Sequence, residues 1–272
     1  MICSRAIFCA ILCLVSLSYI MTPLNSPAGQ SPGMTQSEWH DYERLDFVVA
    51  GQPAILIMPK NAAPGNPWVW RAEWFGDRHG PQVSLELLKR GWHLAYINAS
   101  DRYGSPAAIA IFDAYYQRLT KDFNLAPKMV MEGFSRGGLY AFNFAATYPQ
   151  RVAALYLDAP ALDLKSWPGY QKSRWAEVAE NYGLTVEELA TSPVSPLDRI
   201  GPVLQAGIPI IGVSGDADVV VPLTENLAVL GKRYRAGGGT IEIIIKPGAG
   251  HHPHSIEDPT PIVDFILTHA KY

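Results

Sequence analysis

Cysteine is almost missing from this chain, and where it occurs it is confined to the extreme N-terminus, as Cys3, Cys9 and Cys13. Removal of a leader carrying those three leaves no thiol for a disulfide, a cysteine nucleophile or a thiolate-bound metal. A bilayer-spanning run is missing too: Ala6 to Ile20 is almost unbroken in its apolarity but counts fifteen residues, against about 20 for a membrane helix. Positive charge is not in excess, with 22 Lys and Arg facing 25 Asp and Glu for a net charge of −3. That balance excludes a nucleic-acid partner held by bulk electrostatics. There is no internal repeat, and no low-complexity tract beyond a Pro/Ser-rich linker, Thr22 to Ser37.

What is present begins as an export signal. Arg5 supplies a positive n-region, the short apolar run follows, and Ser26-Pro27-Ala28 offers a loose small-residue cleavage site. The expected organisation is a signal peptide over residues 1–28 and a single domain over 29–272, exported to the periplasm or beyond. The competing reading is an uncleaved N-terminal anchor, since Ile20-Met21 lengthens the run. A mature domain of about 240 residues without disulfides is stable through its core alone.

Along that domain, β-like and helix-like segments alternate. Asp46 to Ala50 and Ala54 to Met58 read as a hairpin around Gly51-Gln52-Pro53, and Pro67 to Arg71 as the loop that follows. Val83 to Lys89 and Ala107 to Leu119 read as helices flanking a strand, Trp92 to Ile97. Met129 to Met131, Val152 to Leu157, Ile208 to Val213 and Ile241 to Ile245 are further strands. Thr224 to Arg235 and Pro261 to Ala270 read as the last helices. Such alternation predicts an α/β domain with a mostly parallel sheet covered on both faces and an antiparallel edge. Residues 161–206 break the rhythm and predict a cap-like insertion after the strand ending near Asp158.

The most informative segment is Met129-Val-Met-Glu-Gly-Phe-Ser-Arg-Gly-Gly138, an apolar run leading into Gly133-Phe134-Ser135-Arg136-Gly137 and then a helix-like stretch. A strand that turns sharply into a helix around a serine needs glycine on either side, where a Cβ would clash. The bland alternative is a glycine-rich turn with a serine helix cap. Serine is a poor nucleophile without a base, so the elbow predicts an acid and a histidine later in the chain. Asp218 lies in Asp-Val-Val-Val-Pro after one strand and His251 in Gly-Ala-Gly-His after the last. Loops at the carboxyl ends of parallel strands share one edge, so the three can converge.

In these motifs the chain resembles the α/β-hydrolase superfamily over nearly all of its mature length. The resemblance implies a Ser135–His251–Asp218 triad, with Asp216 and Asp158 as competing acids. It also implies an oxyanion site at the Arg136 backbone N–H, with a second donor in the Pro67–Arg71 segment, placed at Trp70. The haloalkane dehalogenase branch carries aspartate at the elbow and is excluded by Ser135. His251-His252-Pro253-His254 invites a metal reading, but no carboxylate or cysteine set accompanies it at ligand spacing. No metal and no cofactor is therefore expected.

For the substrate, Trp68, Trp70, Trp74, Trp167, Tyr103 and Tyr170 fall in segments read as loops near the site, and aromatic faces suit sugar rings. Arg71 and Arg136 can hold a carboxylate, or pair with neighbours such as Glu73 and Glu132. Arg71, Trp68, Trp167 and His254 are the expected substrate contacts, although Trp68 and Trp70 fit core packing equally and His254 fits loop support. The chain is similar to exported bacterial acetylxylan and pectin methylesterases, which implies removal of acetyl or methyl ester groups from a carbohydrate. The expected partner is a small ester or polysaccharide, with no nucleic acid and no membrane insertion of the mature chain. A prolyl-oligopeptidase-type peptidase ranks second, because 272 residues leave no room for a gating propeller. A non-catalytic binding protein of the same fold ranks third.

Overall fold

Stretches that are apolar on both faces belong inside a covered parallel sheet. Met129–Phe134, Val152–Asp158 and Ile210–Gly215 meet that condition, with every residue buried. The computed structural model describes residues 33–272; the leader, its three cysteines and the expected cleavage site lie outside them. In chain order the strands are β1 (Thr35–Trp39), β2 (Tyr42–Val49), β3 (Gln52–Met58), β4 (Trp68–Arg71), β5 (His93–Ile97), β6 (Met129–Phe134), β7 (Val152–Asp158), β8 (Ile210–Gly215) and β9 (Ile241–Lys246). They form one sheet in the order β1-β2-β3-β5-β4-β6-β7-β8-β9. From β5 to β9 all neighbours are parallel, while β1, β2 and β3 form an antiparallel edge. This is the α/β-hydrolase architecture.

Helices α1 (Gln82–Lys89), α2 (Pro106–Asp122), α3 (Gly137–Thr147), α4 (Trp175–Tyr182), α5 (Val186–Thr191), α6 (Ile200–Gln205), α7 (Leu227–Ala236) and α8 (Thr260–His269) complete the fold. Val83 and Leu87 of α1 pack with Ile262 and Ile266 of α8 on one face of the sheet. Residues of α2, α3, α6 and α7 share the core on the other, among them Phe112, Phe144, Val203 and Leu230. No helix among the described residues is long and apolar enough to cross a membrane.

Local sequence reading fails in three places. Thr35 to Ser37, assigned to the linker, begin β1. The hairpin turn is Ala50-Gly51, both with positive φ, because a two-residue turn of that geometry matches the twist of the flanking strands; Gln52 and Pro53 already belong to β3. The third error matters most. Pro67 to Arg71 is not a loop: Trp68–Arg71 is β4, buried throughout and paired on both sides. Four residues carry too little periodicity to be read as a strand.

Candidate active site

Ser135 sits where β6 gives way to α3, with φ +50°, in the left-handed region that costs a non-glycine residue about 1–3 kcal/mol. Its backbone is pinned in that conformation. Its N–H donates to Asp158 O at 2.9 Å, and its carbonyl accepts from Gly138 N at 3.0 Å and Ala161 N at 2.9 Å. A Cβ on Gly133 would come within 2.9 Å of the Ala141 Cβ and 3.0 Å of Leu157 Cδ2, so the turn closes only around glycine.

The neighbouring strands bring the other two groups to the same edge. Asp218 follows β8 and His251 follows β9. A Cβ on Gly215 would lie 2.1 Å from Ala249 O and 2.6 Å from Gly250 O. Its absence lets the histidine loop lie against the end of β8. Lys246 Nζ donates to Ser255 O at 3.1 Å and tethers the far side of that loop.

His251 Nδ1 donates to Asp218 Oδ2 at 2.7 Å, and Ser135 Oγ lies 2.8 Å from His251 Nε2. Asp218 Oδ1 accepts from the backbone N–H groups of Val220 (2.8 Å) and Val221 (2.9 Å), which fix the carboxylate. A proton held on Nδ1 by Asp218 leaves the Nε2 lone pair for the serine proton. Neither competing acid approaches His251 in this way. Asp216 Oδ1 accepts from Gly248 N at 2.6 Å and shapes a turn. Asp158 accepts from His254 Nδ1 (2.8 Å), Ser255 N (2.7 Å) and the Tyr156 hydroxyl (3.1 Å).

The acid's loop is joined to the insertion by one side chain. Asn226 Oδ1 accepts from Leu162 N at 2.9 Å and Asp163 N at 3.1 Å, and its Nδ2 donates to Ser166 Oγ (3.0 Å) and Pro222 O (3.1 Å). Beyond this joint, residues 167–174 form one wall of a cavity of about 590 Å³, lined also by Trp74, Ser100, Asp101 and Arg136. Trp167 and Trp74 face it together with three cationic residues, Arg136, Lys172 and Arg174.

The Arg136 side chain is buried against the floor of this cavity. It donates to Asp101 Oδ1 at 2.7 Å, approaches Glu73 Oε1 at 3.4 Å, and stacks 4.6 Å above the Trp74 ring. Burial pushes the Glu73 carboxyl above its ordinary range, and the nearby Arg136 charge and Ser100 hydroxyl offset this only in part. Ser135 is thus flanked by a backbone N–H, that of Arg136, with no hydrogen-bond acceptor among the described residues.

Residues 106–271 match the prolyl oligopeptidase family, more than half of the chain. The chain belongs to the prolyl oligopeptidase family. It is a serine hydrolase, the class that the elbow and its partners predict; the sequence reading ranks only a peptidase of this type second. No curated protein matches the sequence. Among solved structures, Porphyromonas gingivalis dipeptidyl peptidase 4 is 16% identical with a TM-score of 0.64, over 84% of this chain and 35% of that one. The chain therefore spans about a third of that peptidase. An esterase from an Arctic intertidal metagenomic library is 16% identical with a TM-score of 0.59, over 87% of this chain and 97% of that one. The Pyrococcus furiosus esterase Pf2001 is 14% identical with a TM-score of 0.60, over 88% and 99% respectively.

Several residues expected at the site of this prolyl oligopeptidase member lie elsewhere. Trp70 is in mid-strand between Ala95 and Met131, so its N–H belongs to the sheet and not to an oxyanion. Its ring stacks on Phe112 at 4.6 Å, and Trp68 packs beside it with Nε1 donating to Ala126 O. Both are core. Arg71 is no substrate contact, because its nitrogens are committed: Nε to Glu132 Oε2 at 2.7 Å, Nη1 to His79 O at 2.8 Å, and Nη2 to Gly80 O and Ser84 Oγ. His254 is buried and supports its loop through Asp158. Tyr103 is fully buried, and Tyr170 is half exposed against Trp175. Trp167, half-buried, does reach the cavity.

Glu73 was missed as a site element. Ala72 N–H donates to Glu132 O and prolongs the β4 ladder, so the Glu73 N–H is the first amide past the sheet. It has no acceptor among the described residues, and it lies 3.5 Å from where a Cβ on Gly137 would be, at the start of α3. Recognising Trp68–Arg71 as a strand would have moved the expected donor three residues along.

Proposed function

We propose that this family member is an exported serine esterase that removes acetyl or methyl ester groups from a carbohydrate through an acyl-enzyme on Ser135. The observation that carries the reading is the continuous Asp218–His251–Ser135 hydrogen-bonded chain. In this mechanism Ser135 Oγ attacks the ester carbonyl as His251 Nε2 takes its proton, and Asp218 stabilises the imidazolium. The oxyanion accepts from the Arg136 and Glu73 N–H groups, each donor contributing a factor of about 10²–10³ in kcat. His251 then returns the proton to the departing alcohol. Water, deprotonated by the same nitrogen, attacks the acyl-serine, releases the acid and restores the hydroxyl.

The carbohydrate part of the reading rests on the cavity beside Arg136. Trp167 there offers an apolar face for a sugar ring, beside a Trp74 ring already stacked by Arg136 and His79, and Lys172 and Arg174 favour a substrate bearing carboxylates, such as a uronic-acid polymer. The leader supports export. A peptidase is the second reading, favoured by the family itself and by the likeness to a dipeptidyl peptidase. An ester panel on the purified protein separates the two: acetylated xylan, methyl-esterified pectin, acyl esters of increasing chain length, and aminoacyl and prolyl amides. Release of acetate or methanol from the polysaccharides supports the proposal, whereas exclusive amide cleavage or a preference for long acyl chains overturns it. Ser135→Ala abolishes hydrolysis of p-nitrophenyl acetate and labelling by a fluorophosphonate while preserving the thermal transition. No labelling of the folded wild type would favour a non-catalytic binding protein.

A further inference from the structure

Hydrolysis uses one histidine of the His251-His252-Pro253-His254 run, yet the fold invests in a second. His254 is buried, and its Nδ1 is held by a carboxylate with no exposed side-chain surface, Asp158. The arrangement repeats that of His251 on Asp218, and the proposed chemistry gives it no task. His252 stands beside both rings, exposed and without a hydrogen-bond partner among the described residues.

We propose that His251, His252 and His254 form an inhibitory zinc site. One nitrogen from each ring lies within 4.8 Å of one nitrogen from each of the others, and the ring centroids are 4.7–5.0 Å apart. A carboxylate on Nδ1 is what metal-binding imidazoles use: it fixes the tautomer, directs Nε2 outward and raises its basicity. Two of the three ligands are already prepared in this way. Three neutral imidazoles suit zinc and disfavour calcium or magnesium, which take oxygen ligands. Zinc–nitrogen bonds of about 2.0–2.1 Å in a tetrahedron draw the three nitrogens closer than they lie here, and exposed His252 is the ring free to close the gap. Water or Ser135 Oγ completes the coordination.

Occupation would silence the enzyme, since the metal takes the Nε2 lone pair of His251 on which deprotonation of Ser135 depends. The supporting carboxylates were invisible to spacing rules because Asp218 and Asp158 lie 33 and 96 residues away in the chain. Metal binding is independent of the esterase reading, and only its inhibitory effect rests on that reading.

The test is a zinc chloride titration of p-nitrophenyl acetate hydrolysis in a non-chelating buffer, with cobalt(II) absorption spectra recorded in parallel. Wild-type activity should fall at micromolar zinc, recover with EDTA and be indifferent to calcium and magnesium. His252→Ala should keep the basal rate and raise the half-inhibiting concentration at least about tenfold, and Asp158→Asn should weaken binding about 10–100-fold through the lost carboxylate. Cobalt(II) should give the intense visible bands of four-coordinate geometry with Ser135→Ala, and lose them when His252→Ala is added. Equal inhibition of wild type and His252→Ala, or no such bands, overturns the site. Bands that depend on His252 in a protein that hydrolyses no ester uphold the site and sink the esterase reading.

Discussion

Two buried aspartates each hold a histidine here, and exchanging either for asparagine separates their roles. In Asp218→Asn, the remaining oxygen keeps the Val220 and Val221 N–H bonds, but the new amide presents hydrogens to His251 Nδ1. The ring must then carry its proton on Nε2, where it can no longer accept from Ser135. A serine hydrolase locked in the wrong tautomer loses about 10⁴ in kcat, or about 5 kcal/mol of transition-state stabilisation. Asp158→Asn keeps one oxygen for Ser255 N and Tyr156 and loses a charge-assisted bond to His254, a loss of about 1.5–3 kcal/mol. For a domain of this size that lowers Tm by roughly 3–12 °C, and kcat should stay within about tenfold of wild type. The assays are initial rates on p-nitrophenyl acetate and calorimetric melting of the same preparations. If folded Asp158→Asn is as inactive as Asp218→Asn, or if Asp218→Asn keeps more than a tenth of kcat, the assignment of the acid is wrong.

Two other perturbations follow from the buried charges. Arg71→Met strands Glu132, which is fully buried; the uncompensated charge should destabilise the fold by about 3–5 kcal/mol with KM little changed, and Arg71→Met/Glu132→Gln should recover part of the loss. A raised KM with unchanged Tm would return Arg71 to the substrate. Glu73 has its pKa raised by burial, so the folded state holds the proton more tightly than the unfolded chain. Its stabilising contribution is complete below the ordinary value of 4.5 and is lost as pH rises through the folded value. Glu73→Gln should therefore match wild type at low pH and gain in relative Tm on the way to neutrality. A difference that is flat between pH 4 and 8, or that runs the other way, would contradict this.

The sheet and the convergence of Ser135, Asp218 and His251 on one edge were legible because each depends on a long periodic segment or a local glycine motif. Gly133 is readable as an elbow glycine, although only the packed structure shows what it and Gly215 let approach. Arg71, Trp68 and Trp70 were misplaced for a single reason: a four-residue central strand has no periodicity, and aromatic and cationic side chains there look like loop chemistry. The pairing of Arg71 with Glu132 spans 61 residues, and that of His254 with Asp158 spans 96. No local pattern encodes partners so distant. The oxyanion donor followed the misplaced strand, and Glu73 is named from the sequence only as an ion-pair partner, because a backbone N–H past the end of a strand leaves no mark in the side-chain pattern.

Asn226 has a consequence for how the enzyme can change its diet. By gripping residues 162–166 on one side and Pro222 on the other, it divides the chain after β7 into a fixed root and a replaceable wall. The exposed stretch Tyr170–Arg174 of that wall can be exchanged without touching the loop that carries Asp218, whereas Trp175, Val178, Leu189 and Leu197 are buried in the main core and Leu197 O accepts from Arg233 Nη1 of α7. Changes there redraw the cavity's charge through Lys172 and Arg174 and leave the proton path from Ser135 to Asp218 untouched. An engineer grafting a new wall has the same freedom, with the joints set at Trp167 and Trp175.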